Sequence, residues 1–279
     1  MTLSLTNDDL RRLIPNIIHE VDGEPMLIEK IAPWLDSALD WLNSSVLGSF
    51  DIPDSLRPLA EKIVVFKAFA DAIPSLDLTL SPAGFAVINT EGRAPASKER
   101  VERLVASLRS SVDANLPPLV AALLRLPDFR ESPMGEYWTG SFLRLDDVRL
   151  FPDAKCADLL DSYRLLREKA EWFESEAEQN YLGRSLPAVL RQAYFAPDAD
   201  RALRPAASTM ARALLKFLRS PRGYDSNACP DPHEVWHLMQ PVLLEVRSVP
   251  ALAELWHAEI GDVFNIAPYR NTRHGGYFF

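Results

Sequence analysis

Apolar residues recur at spacings of three and four along most of the chain, the signature of helices that bury one face. Leu5, Leu10, Leu13, Ile14, Ile17 and Ile18 keep this spacing behind Thr6-Asn7-Asp8-Asp9, where a hydroxyl can cap the helix and two acids favour its first turn. A break at Asp22-Gly23-Glu24-Pro25 separates it from a second pattern, Ile28, Ile31, Trp34, Leu35, Ala38, Leu39, Trp41, Leu42 and Val46. Pro33 is expected to bend this helix and Gly48 to close it, and its two tryptophans fit core packing better than a stacking platform. From Leu56 to Ile73 the sequence is apolar on nearly every face, which predicts a central, buried helix.

The period then changes. Leu78, Leu80, Phe85 and Val87 alternate with small or polar residues around Ser81-Pro82-Ala83-Gly84, which predicts a β-hairpin over about 77–90. Ser97 stands where an N-cap would open a helix running to about Asn115, and Pro117-Pro118 should end it and start a shorter one, Leu119 to Leu126. Between 128 and 153 Pro, Gly, aromatic and acidic residues mix without a helical period. This segment reads as the junction between two halves, with Phe142 to Leu150 as a strand. Helical spacing returns from Lys155, with Leu159, Leu160, Tyr163, Leu166, Ala170 and Phe173 as its stripe and Gly183 near its end. Further helices are expected from Pro187 to Tyr194, Ala199 to Leu218, Val235 to Val246 and Pro250 to Ile260. The chain then closes on Asn265-Ile266-Ala267-Pro268-Tyr269 and a Gly-Gly-Tyr-Phe-Phe end, whose aromatic area should pack on its own domain or on a neighbouring subunit.

Two signals repeat. Leu56-Arg57-Pro58-Leu59-Ala60 resembles Leu203-Arg204-Pro205-Ala206-Ala207, 147 residues later, and Leu47-Gly48 resembles Leu182-Gly183, 135 residues later. The unequal offsets leave a duplication open, and no second hairpin is evident. The sequence therefore predicts a mainly α protein, a helical bundle with one small β-hairpin and two helical halves that a duplication could relate. Its domains would be 1–127 with the hairpin, an aromatic inter-domain segment over 128–153, and 154–279 with the aromatic tail.

At 279 residues and 47% hydrophobic content the chain can close a sizeable core. A net charge of -9 with scattered Lys and Arg argues against sequence-specific nucleic-acid binding. Cys156 and Cys229 are the only cysteines, too few for a disulfide framework, and no apolar run or export pattern points to a membrane, so the expected location is cytoplasmic. Gly-rich phosphate loops and nucleophile elbows are absent from the sequence, and no cofactor is expected. His233-Glu234-Val235-Trp236-His237 matches the H-E-x-x-H pattern of zinc hydrolases, with His233 and His237 as metal ligands in that alternative. Asp231 as N-cap, Pro232 as first helical residue and Glu234 as the partner in a capping box explain the same residues structurally. Pro241 follows soon after, and the third histidine of a metzincin is missing.

Leu80-Ser81-Pro82-Ala83-Gly84-Phe85-Ala86-Val87, followed by Ala94-Pro95-Ala96-Ser97-Lys98-Glu99-Arg100-Val101, resembles a largely uncharacterised bacterial, prophage-encoded family. The family is similar in layout to phage head-tail connector, or adaptor, proteins, and the likeness covers about residues 27–125 well and the aromatic C-terminal tail loosely. It implies a virion structural protein with no catalytic role, assembled as a homo-oligomeric ring that meets portal and other neck proteins, and located in the virion where the phage is functional. Pro82, Gly84 and Phe85 of the hairpin and Tyr277, Phe278 and Phe279 of the tail would then be the interaction residues. A helical protein-interaction scaffold is the remaining alternative.

Overall fold

The structure is a computed structural model, and it describes residues 5–14, 27–76, 78–81, 84–87, 97–151, 158–196, 198–220 and 232–261. The protein is mainly helical, and the chain divides into two units, residues 1–138 with 156–162 and residues 139–155 with 163–279. The stretch 128–153, expected to form a separate segment, is shared out between them, its part up to Trp138 going with the first unit and the remainder with the second. Among the described residues no helix is long and apolar enough to cross a membrane.

In the first unit the apolar helix Arg57–Leu76 (α3) takes the centre, with Ile63, Val64, Val65, Ala68 and Phe69 fully buried. It packs between Leu27–Leu42 (α2) and Lys98–Leu123 (α4), while Asn7–Leu13 (α1) touches both α2 and α3. The cap of α1 is local: Thr6 Oγ1 accepts the Asp9 amide at 3.3 Å, and the Asp9 carboxylate accepts the Thr6 amide at 3.0 Å. Between α3 and α4 the backbone of Leu78–Ser81 (β1) runs antiparallel to Gly84–Val87 (β2), with Leu78 opposite Val87 and Ser81 opposite Gly84. Pro82 and Ala83 lie outside the described residues.

One expectation for α4 is met in part and another is corrected. Ser97 occupies the cap position, but its hydroxyl makes no capping bond; its carbonyl instead accepts the amides of Arg100 and Val101 at 2.9 and 3.2 Å. Nor does Pro117-Pro118 end the helix, which continues to Leu123. Leu116, Pro117, Leu119, Val120 and Leu123 are all buried. Burial at about 1.5–3 kcal/mol per large apolar side chain offsets the roughly 3 kcal/mol cost of an interior proline. α2 likewise runs unbroken through Pro33.

Beyond Leu42, α2 widens into a π turn over Asn43–Leu47 and stops at Gly48, whose left-handed φ of 56° lets its amide donate to the Asn43 carbonyl at 2.7 Å. The short helices Pro127–Arg130 (α5) and Pro133–Thr139 (α6) close over this end. Phe129 meets Phe50 edge to face at 5.0 Å, Trp138 Nε1 donates to the Val46 carbonyl at 3.1 Å, and Met134 lies against Gly48. A β-carbon on Gly48 would stand 2.7 Å from Met134 Cβ.

The second unit is built around Arg204–Arg219 (α9), which packs between Ser185–Phe195 (α8) and Pro232–Ser248 (α10). Leu159–Ala177 (α7), which belongs to this unit from Tyr163 onward, buries the stripe expected of it, and from this helix Phe173 and Trp172 stack on Phe217 of α9 at 5.0 and 6.0 Å. Like α2, α7 ends in a π turn, Glu178–Leu182, followed by a positive-φ glycine, Gly183 at 70°. The proposed strand over Phe142–Leu150 is not formed; Leu145–Leu150 is a 3-10 helix. Phe142, Leu145, Val148 and Phe151 are all buried, and their spacing of three is the repeat of a 3-10 helix. A proline-started 3-10 turn, Pro250–Leu252, leads into the last described helix, Ala253–Glu259 (α11).

Gly48→Ala combines the left-handed cost of about 1–2 kcal/mol with the Met134 contact. It should lower the denaturant midpoint at unchanged m-value. Trp138→Phe, which strands the buried Val46 carbonyl, should cost about 1–3 kcal/mol by the same measurement.

Candidate functional site

Most of the charged residues lie on solvated helix faces, where ion pairs such as Lys67–Asp71 at 3.0 Å join residues one helical turn apart. Among the described residues one carboxylate departs from this pattern. Glu174 follows Phe173 on the buried stripe of α7 and is only 5% exposed. Its Oε1 accepts the Ser141 hydroxyl at 2.7 Å and the Phe142 amide at 2.8 Å, and its Oε2 accepts Arg191 of α8 at 3.3 Å. Ser141 is itself fully buried, and its oxygen takes the Leu143 amide at 3.1 Å.

The neighbouring groups extend this node. The Tyr163 hydroxyl lies 3.5 Å from the Leu143 carbonyl and 3.5 Å from Arg167 Nη1, while Arg167 Nε holds Glu171 at 2.6 Å. Arg144 stacks its guanidinium 3.8 Å from the Tyr194 ring centre and donates to the Tyr194 carbonyl at 2.9 Å. Its own amide goes to Asp147 at 2.9 Å, which opens the 3-10 helix.

Burial pushes the Glu174 carboxyl above the usual glutamate range, against the pull of Ser141, the Phe142 amide, Arg191 and Arg167. It also raises Asp147, and it pushes the Tyr194 hydroxyl up to about 12. A perturbed carboxylate can mark catalysis, but here its acceptor sites are spent on the chain itself, tying residues 141–143 to α7 and α8. The arrangement fastens a segment. It can do so because an ion pair out of water survives only when hydrogen bonds satisfy both members.

The residues singled out from the sequence are not brought together with this node. Gly84 and Phe85 lie in β2, where the backbone pairing alone is described. Pro82, Tyr277, Phe278 and Phe279 lie outside the described residues, as does Asp231, the cap assigned to α10. His233 and His237 are exposed on the first two turns of α10, with Glu234 half-buried between them. Among the described residues no three His, Cys, Asp or Glu side chains are placed to share a metal ion.

Sequence reasoning passed over Glu174, Ser141 and Arg191. The one available signal was a charged residue falling next to Phe173 in an apolar stripe, since an acid seldom sits on a core face without a partner.

Residues 24–137 match a family model described as a family of unknown function, DUF6712. The match ends beside Trp138, where the first stretch of the first unit also ends. No curated protein and no solved structure matches the chain.

Glu174→Ala leaves Ser141, the Phe142 amide and Arg191 without their acceptor, and should cost about 3–5 kcal/mol of unfolding free energy. Glu174→Gln tests the ionisation. A carboxyl raised in the folded state contributes stability that is complete below its unfolded value and lost as pH rises through the folded one. Wild-type stability measured relative to Glu174→Gln should therefore decline as pH is raised from below 4.5, the ordinary glutamate value, towards neutrality.

Proposed function

We propose that this protein is a virion structural part of prophage origin, a head-tail connector or adaptor that works by ring assembly between portal and tail and not by catalysis. The observation that carries the reading is the position of the paired segments Leu78–Ser81 and Gly84–Val87, set between the long helices α3 and α4. An extended pair between two long helices, in the stretch whose sequence resembles the connector-like family, supports this reading. The net charge of -9 suits a ring through which DNA must pass without being trapped.

On this reading the partners are further copies of the chain and the neck proteins, portal above all. The contacts are the hairpin, through Pro82, Gly84 and Phe85, and the tail, through Tyr277, Phe278 and Phe279. The protein is made in the cytoplasm and ends in the virion. We also infer that the two helical units descend from one module. Each has a helix ending in a π turn and a positive-φ glycine, and a central helix opening on Arg-Pro. Aligned on those prolines, Ala60, Ile63, Val64, Phe66 and Ala70 fall on Ala207, Met210, Ala211, Ala213 and Phe217, all of them buried.

Native mass spectrometry of protein purified without chelator tests the assignment. A metal-free ring of identical subunits is expected. One zinc per chain, lost on His233→Ala, would replace the reading with the hydrolase, and a chain that stays monomeric both alone and with portal protein would remove the connector. Deleting residues 269–279 should abolish assembly at an unchanged melting temperature; a lowered melting temperature with assembly kept would assign the tail to its own subunit instead.

A further inference from the structure

The helix α8 lacks a cap of its own. Arg184, at the cap position, has helical dihedrals and makes no capping bond, and the first turn carries no acid. Its first amide is nonetheless satisfied, by a residue 74 positions away: both carboxylate oxygens of Glu259, on α11, accept the Ser185 amide, at 2.9 and 2.8 Å. Burial draws the Glu259 carboxyl upward, but bonds from Ser185 and from the backbone of Leu186 and Arg184 outweigh it and hold the group below the usual glutamate range.

The approach is possible because of Gly183. A β-carbon there would stand 2.7 Å from Glu259 Cβ, closer than real atoms come. Gly183 also has φ 70° and ψ -172°, a combination essentially reserved to glycine. The seat for Glu259 is thus written twice, in an absent local cap and in an absent side chain.

The helix that carries Glu259 is weak by itself. α11 has seven residues, well short of the roughly 12–15 at which an isolated helix becomes even marginally stable in water. It hangs from α10 by the turn Pro250–Leu252 and is anchored by the buried side chains of Leu252, Trp256 and Ile260. Its packing partners are α8 and α10.

We propose that α11 is a strap, closed on the α8 N-terminus by Glu259, that opens as one piece while α9 and α10 stay folded. Opening uncaps α8 and uncovers Trp256 and Ile260. This holds whether or not the protein assembles as a ring.

Amide hydrogen exchange on the full chain, followed by mass spectrometry at neutral pH, tests it. In the wild type, peptides covering 253–260 and the amides of 184–186 should exchange together, and at least tenfold faster than those of α9. Glu259→Gln keeps one acceptor oxygen but loses the charge; it should speed those two regions by a further tenfold or so and leave α9 and α10 unchanged. Glu254→Gln, an exposed acid on the same helix, should change nothing. The strap is refuted if 253–260 and α9 exchange at one common rate in the wild type, or if Glu259→Gln accelerates the whole unit equally or has no effect.

Discussion

A carboxylate that is 95% out of water, as Glu174 is, needs donors on every side or it unfolds what surrounds it. The second unit meets that demand with a hydroxyl, a backbone amide and a guanidinium drawn from two places in the chain. Meeting it fixes where residues 141–143 run. From there the 3-10 helix follows, with Phe142, Leu145, Val148 and Phe151 all turned inward. Apolar packing alone would tolerate several placements of such a segment; a buried charge with three fixed donors tolerates far fewer.

The same economy appears at helix ends. Both α2 and α7 end on π turns with a positive-φ glycine after them, and in each unit a later short helix comes down on that glycine: Met134 of α6 on Gly48, Glu259 of α11 on Gly183. In one case the visitor brings an apolar side chain, in the other a carboxylate that finishes the next helix.

Much of this was readable in the residues. The Thr6 cap, the closing role of Gly48, the buried α3 and the stripe on α7 all depend on neighbours within one or two turns, and local spacing records them. The failures were of another kind. Pro117-Pro118 looked like an end because a proline's local cost is visible, whereas the burial of Leu116, Leu119 and Val120 that offsets it belongs to the packing on α3. Phe142 to Leu150 looked like a strand because a period of three, sampled over nine residues, is easily confused with a period of two. The bonds from Glu174 to Ser141 and from Glu259 to Ser185 join residues 33 and 74 positions apart, and no periodicity announces them. As for the site, the sequence pointed to the hairpin and the tail, while the best-defined polar centre among the described residues joins a segment it had read as a junction to α7 and α8.

Gly48 and Gly183 also bear on how the gene can drift. Every non-synonymous single-base change in a glycine codon introduces a side chain or a stop, so neither position has a neutral neighbour in the genetic code. Around them the solvated faces of α4 and α7 can absorb substitutions one at a time. At these two points the sequence has nowhere adjacent to go, and a lineage that altered either would have to move Met134 or Glu259 first.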